Sequence, residues 1–158
     1  MAAAEPAPET LSLTVARLDQ LIALFNKRGM DLPAGLFDRT TQFLLNGAAY
    51  ETLLGRSSAD PLLLMLARGP AGYRFIVKAV QHSVPDAHVQ RGEIVWSDKP
   101  AICQGEVWLA GHLRGSGEAL NAVIGFELWL APAGCVHQVA VTLDAQTLDK
   151  LREARLKP

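Results

Sequence analysis

The apolar pattern changes period part-way along the chain, and this change limits the fold more than any other feature. Up to about residue 85 the apolar residues recur at helical spacing. In "LSLTVARLDQLIALFNKRG" the residues Leu11, Val15, Leu18, Ile22 and Phe25 fall four or three apart. That spacing stacks them on one helix face. Leu21 and Leu24 widen the stripe, so the helix packs against something large. Thr10 is the expected cap at its start, and Lys27-Arg28-Gly29 the expected stop. From residue 87 onward the runs "AHVQRGEIVW", "AICQGEVWLAGHLRG", "LNAVIGFELWL" and "CVHQVAVTLD" alternate with period two. The turn clusters Ser97-Asp98-Lys99-Pro100, Gly115-Ser116-Gly117 and Ala131-Pro132-Ala133-Gly134 separate them. Successive strands with short turns predict an antiparallel meander.

Between these regions the reading is finer-grained. A second helix is expected from Asp31-Leu32-Pro33, where proline suits the first turn. It would run through Leu36, Phe37, Thr40 and Leu44 to Asn46-Gly47. The stretch "AAYETLLGRSS" fits helix or strand and leans towards a short helix ended by Gly55. Leu62 to Leu66, held between Asp60-Pro61 and Arg68-Gly69-Pro70, suits a buried strand. Pro70 opens a helix over "PAGYRFIVKAVQHSV", with Tyr73, Ile76, Val77 and Val80 inward. Val84-Pro85-Asp86 ends it. A last helix spans Ala145 to Leu156 with Asp144 as its cap. No internal repeat and no linker interrupts the order. Residues 10–158 are therefore expected to form one α+β domain, with helices first and a curved sheet after. Residues 1–9 read as a short disordered leader.

Composition narrows the partners. Of the 158 residues, 49% are hydrophobic, which is enough for one well-filled core. Fifteen basic and sixteen acidic side chains leave a net charge of -1. There is no broad positive field for a phosphate backbone, so nucleic acid is not an expected partner. Nor is a membrane, because no run approaches the roughly 18 apolar residues of a span. No secretory leader is recognisable, which makes the cytoplasm the expected address. Cys103 and Cys135 make neither a disulfide framework nor a metal cluster and read as buried free thiols.

The two sheet faces differ. Cys103, Val107, Leu109 and Leu113 share one side of the second strand. Ala122, Ile124, Phe126, Leu128 and Leu130 share one side of the third. This face must be covered by helices. The opposite face carries Gln104, Glu106, Trp108, His112 and Arg114, then Asn121, Glu127 and Trp129. Tryptophan and arginine on a mixed face suit contact between two copies of the chain, so a homodimer through the sheet is expected.

Few residues stand out as chemistry. Asp60 is either a turn residue before a strand or a carboxylate at the edge of an apolar cavity. Tyr50 is either a half-buried spacer or a hydrogen-bond donor at the cavity mouth. His137 shares parity with Val139 and Val141 and is either an inward polar group of the pocket near the sheet's end or a satisfied, partly exposed histidine. Histidines 82, 88, 112 and 137 lack ligand spacing, so no metal is expected. No nucleotide fingerprint or phosphate loop occurs, and no cofactor is expected.

The order of elements, with the Asp-Pro pair, resembles the nuclear transport factor 2-like (NTF2-like) superfamily over roughly residues 30–144. This group includes the ketosteroid isomerases and the SnoaL-like polyketide cyclases. In the isomerases a glycine opens the next helix nine residues after the aspartate of the pair. Here Gly69 stands nine residues after Asp60. "APAGCVHQVAVTLD" resembles the closing hairpin of the family. The resemblance implies a cone-shaped fold and places Asp60 where the isomerases hold their proton-shuttling base. The chain departs from the isomerases' oxyanion hole. Phe126 stands about where the strand acid is expected, and neither of the first two helices carries a tyrosine. The implied function is cofactor-independent proton transfer, namely isomerisation, cyclisation or dehydration, on a hydrophobic carbonyl compound. Asp60, Tyr50 and His137 are the candidate catalytic groups. Val107, Leu109, Ile124, Phe126 and Tyr73 are the candidate pocket walls. The alternative is a non-catalytic module of the same fold that binds a hydrophobic ligand or a protein partner.

Overall fold

The computed structural model describes residues 12–49 and 68–155. Thr10, Tyr50, Asp60 and the run Leu62 to Leu66 lie outside the described residues.

Helix α1 (Val15–Asn26) starts at Thr14, whose hydroxyl accepts the Arg17 N–H at 3.2 Å. The inward stripe is narrower than the periodicity implies. Leu18 and Leu21 are buried, whereas Val15 is exposed. At the other end the left-handed residue is Arg28 (φ +62°), not Gly29. Its guanidinium donates to the carbonyls of Ala87 and Pro85, each at 2.8 Å, and these contacts hold the unusual backbone.

The expected second helix is a strand, β1 (Phe37–Leu45). Asn46 (φ +50°) and Gly47 (φ +84°) are both left-handed. They turn β1 back into a two-residue strand, β2 (Ala48–Ala49), paired Leu44 to Ala49 and Leu45 to Ala48. Two successive positive φ angles are what a tight hairpin turn requires, and Asn-Gly supplies them. The positions Leu36, Phe37, Thr40 and Leu44 also fit a helical period. Pairing of β1 with the last strand overrides that period. The expected helix over "AAYETLLGRSS" begins instead with the strand residues Ala48 and Ala49, and its remainder lies outside the described residues.

Helix α2 (Gly69–Ser83) follows, with Pro70 in its first turn and its end at Val84. Gly69 is required at its start. Its φ is +65°, and a side chain there would sit 2.6 Å from the Arg39 carbonyl of β1. The period-two segments form the meander expected of them: β3 (His88–Asp98), β4 (Ala101–His112), β5 (Ala119–Leu130) and β6 (Val136–Thr142). Helix α3 (Ala145–Arg155) closes the described chain, and Asp144 accepts the Thr147 N–H at 3.0 Å to cap it.

The six strands make one sheet in the order β2-β1-β6-β5-β4-β3. The pairs within the meander are antiparallel, and β1 lies parallel to β6. The meander is thus extended at the β6 edge by a hairpin that sequence periodicity assigned to a helix. The architecture is α+β: α1, α2 and α3 cover one face, and the other face lies open among the described residues. Two apolar clusters fill the covered side. Leu18, Leu21, Phe37, Phe43, Leu128 and Val136 form one beneath α1. Val84, Leu109, Leu113, Leu120, Ala122 and Leu143 form the other towards α3.

Candidate functional site

Each apolar cluster borders a cavity of about 180 Å³ on the covered face. The first lies between α1 and the sheet. Leu18, Leu21 and Phe25 of α1, Tyr73 of α2, and Val107 and Phe126 of the sheet are among its walls. The second lies between α2, α3 and the sheet, with Ile76, Leu109, Ile124, Leu148 and Leu151 among its walls. All five expected wall residues therefore line cavities. They divide between two chambers: Tyr73, Val107 and Phe126 line the α1 cavity, and Leu109 and Ile124 the α3 cavity.

The α1 cavity has an apolar wall with one phenol in it. The Tyr73 ring stacks on Phe37 at 5.1 Å between centroids and is held there. Burial disfavours its phenolate and pushes its pKa up to about 12. The hydroxyl therefore stays protonated at any working pH. Its donor has no hydrogen-bond partner among the described residues. A neutral O–H beside an apolar chamber can donate to a carbonyl oxygen bound there.

The α1 wall is fixed to the edge strand β3 by side chains that periodicity could not flag. The Asn26 amide donates to the Val89 carbonyl at 3.0 Å and accepts the Val89 N–H at 2.8 Å. It thus pairs both backbone groups that an edge strand leaves open. Arg91 donates to Asp19 through Nε at 2.6 Å and through Nη2 at 3.3 Å, and this contact holds the Asp19 carboxyl below the usual range. These contacts span more than sixty residues of sequence, and no local pattern announces them.

His137 faces outward, contrary to its parity with Val139. The register between β5 and β6 slips at Trp129/Leu130, so Val136 and Val139 are both buried although three residues apart. A bulge of this kind re-aims the side chain between them. His137 lies in a shallow surface depression with Asp38, Thr40 and Gln42. Asp60 and Tyr50 lie outside the described residues. Among the described residues no Asp, Glu or His lines either covered cavity. No three metal-ligating side chains come together among them either. Both cysteines are buried free thiols, and burial pushes the Cys103 thiol up.

The open sheet face carries Val95, Trp108 and Val123, which are 56%, 49% and 52% exposed. His112 belongs to it too. Its Nδ1 lies 2.6 Å from Asp86, which also accepts the His112 backbone N–H at 2.7 Å. Trp129 lies on this side as well, its indole N–H buried with no hydrogen-bond partner among the described residues.

This arrangement, with helices on one face of a six-stranded sheet, has counterparts among solved structures. An NTF2-like protein of unknown function from Exiguobacterium sp. 255-15 superposes with a TM-score of 0.57 at 16% identity, covering 82% of this chain and 98% of that one. The chain has the NTF2-like fold. Two further solved structures align at 10% identity. A proposed SnoaL-like polyketide cyclase from Jannaschia sp. CCS1 gives a TM-score of 0.58 over 96% of this chain and 100% of that one. A protein with a ketosteroid isomerase-like fold from Catenulispora acidiphila DSM 44928, solved with trimethylamine, gives 0.59 over 92% and 96%. No family model matches the chain, and no curated protein matches it in sequence. At such identities the NTF2-like fold is what the likeness carries; the chemistry must come from the side chains. Among the described residues no helix is long and apolar enough to cross a membrane.

Proposed function

We propose that the α1 cavity binds a small hydrophobic carbonyl compound, with the Tyr73 hydroxyl donating a hydrogen bond to its oxygen. The supporting observation is the phenol itself, a neutral donor held by stacking in an otherwise apolar wall. Apolar walls with one or two placed polar groups are the usual form of a ligand pocket. A donor at the carbonyl stabilises the enolate that forms when a neighbouring proton leaves. The reaction proposed for the site is therefore cofactor-independent proton transfer next to that carbonyl: isomerisation, cyclisation or dehydration. Asp60 is proposed as the base, Tyr73 takes the role first considered for Tyr50, and His137 is given no part. A solved neighbour described as a proposed SnoaL-like polyketide cyclase supports this class of chemistry.

A non-catalytic binding module is the second reading. The absence of Asp, Glu and His from the cavity walls among the described residues favours it. The open face, with Trp108 and Val123, is proposed to seat a second copy of the chain.

The test is to add a small panel of unsaturated ketones and follow absorbance. Binding red-shifts the enone band if its oxygen receives a hydrogen bond, and turnover then changes the band with time. The proposal expects a red shift in the wild type, its loss in Tyr73→Phe, and binding without turnover in Asp60→Asn. Binding without turnover in the wild type supports the module. A red shift that survives in Tyr73→Phe contradicts the assignment of the donor.

A further inference from the structure

The second cavity differs from the first in its polar group. Its walls are Ile76 and Val80 from α2, Leu109 and Ile124 from the sheet, and Leu148 and Leu151 from α3. Arg152 of α3 completes the lining and is exposed. Other polar groups near it are already engaged. The Ser83 hydroxyl lies 3.0 Å from the Ala79 carbonyl and 3.1 Å from that of Leu151. Lys150 pairs with Glu118 at 2.9 Å, on the same helix as Arg152. Arg152 itself has no hydrogen bond and no ion pair among the described residues. Its neighbours in sequence, Asp149 and Glu153, do not line the cavity, and no acidic side chain does so among the described residues.

An apolar chamber with one unengaged guanidinium at its rim has the polarity of an amphiphilic anion. We infer that the α3 cavity is a second binding site, separate from the Tyr73 chamber, for a small hydrophobic carboxylate. Its apolar body lies against Ile76, Leu109, Ile124, Leu148 and Leu151, and its carboxylate pairs with Arg152. Guanidinium is the side chain whose planar fork matches a carboxylate through two parallel hydrogen bonds. The volume sets the size. About 180 Å³ compares with the roughly 150 Å³ apolar cavities that accept a benzene ring. One ring or a short branched chain fits, and a polycyclic body does not.

The experiment uses the full chain with methyl-labelled Leu, Ile and Val, titrated with 3-phenylpropanoate and, in parallel, with uncharged 3-phenylpropanol. The inference expects 3-phenylpropanoate to shift the methyl resonances of Ile76, Leu148 and Leu151 and to leave those of Leu18 and Leu21 in place. Arg152→Gln should weaken the acid by about tenfold or more, the usual scale for losing a hydrogen bond to a charged group. The same change should leave the alcohol within a factor of about two, because the alcohol never used the charge. Arg152 is exposed, so the variant is expected to fold, and a thermal melt verifies this. A second variant, Ile124→Trp, fills the chamber and should abolish both ligands while Tyr73→Phe changes neither. The inference is overturned by absent binding at millimolar ligand. It is equally overturned by unchanged affinity in Arg152→Gln, or by shifts centred on Leu18 and Leu21.

Discussion

At the scale of single residues, a few side chains have surroundings that decide what they do. Tyr73 was legible as an inward helix residue, and its walls Val107 and Phe126 as the covered sheet face. Its role as a donor was not legible, because that depends on what does not approach its hydroxyl. His137 shows the opposite case. Its parity is inward in sequence, and one extra residue in β6 turns it out. Gly69 is a residue at which the backbone permits almost nothing else. An alanine there combines a left-handed φ of +65° with an approach of 2.6 Å to the Arg39 carbonyl. Gly69→Ala is predicted to destabilise the fold by at least about 2 kcal/mol, read as a lowered midpoint in urea. Asn26→Ala removes two hydrogen bonds and leaves both polar groups of Val89 unpaired. A loss of about 1–3 kcal/mol is expected, with faster hydrogen exchange at the Val89 amide as the local signature.

At the scale of elements, the meander was readable because one buried face imposes strict alternation on β3 to β6. Helices α2 and α3 were readable from their punctuation, Pro70 at one start and Asp144 at the other. Strand β1 was not. Its apolar residues satisfy two periods at once, and the choice between them is made by β6, some ninety residues away. Buried Thr41 records that choice, its hydroxyl lying 2.8 Å from the Val136 carbonyl. The Asn46-Gly47 pair held the local clue, since Asn-Gly between apolar runs is a strong hairpin signal. Asn46 also secures the hairpin to the end of β6. Its amide donates to the Leu143 carbonyl and accepts the Leu143 N–H, both at 2.8 Å. Asn46→Ala is predicted to cost about 2–4 kcal/mol through these two bonds and the left-handed backbone. The equilibrium midpoint in urea measures it, and Asn46→Asp, which keeps the acceptor, should cost less.

At the scale of the whole molecule, the two sheet faces differ: the helices and both cavities lie on one side, and the exposed Val95, Trp108 and Val123 on the other. Trp108→Glu sets a charge in the middle of the open face and should convert the dimer proposed for that face to a monomer in light scattering, without lowering the thermal midpoint of the monomer. An unchanged mass would remove the second copy from the account. The same face carries an acid-sensitive tie. Asp86 is held below the ordinary carboxylate range by its side-chain and backbone hydrogen bonds from His112. A carboxyl with a depressed folded pKa adds stability that is present above its unfolded value of about 3.9 and is lost as pH falls through the folded value. The gap in melting temperature between wild type and Asp86→Asn should therefore close as pH is lowered below about 4, and a gap that stays constant would contradict the tie.

In the function proposed above, a ligand carbonyl meets the Tyr73 hydroxyl in the α1 cavity. The most direct measurement is the chemical shift of a ¹³C-labelled ketone carbonyl, free and bound, in the wild type and in Tyr73→Phe. The account predicts a downfield shift on binding to the wild type that disappears in the Phe variant while binding persists. The same downfield shift in both proteins would contradict it.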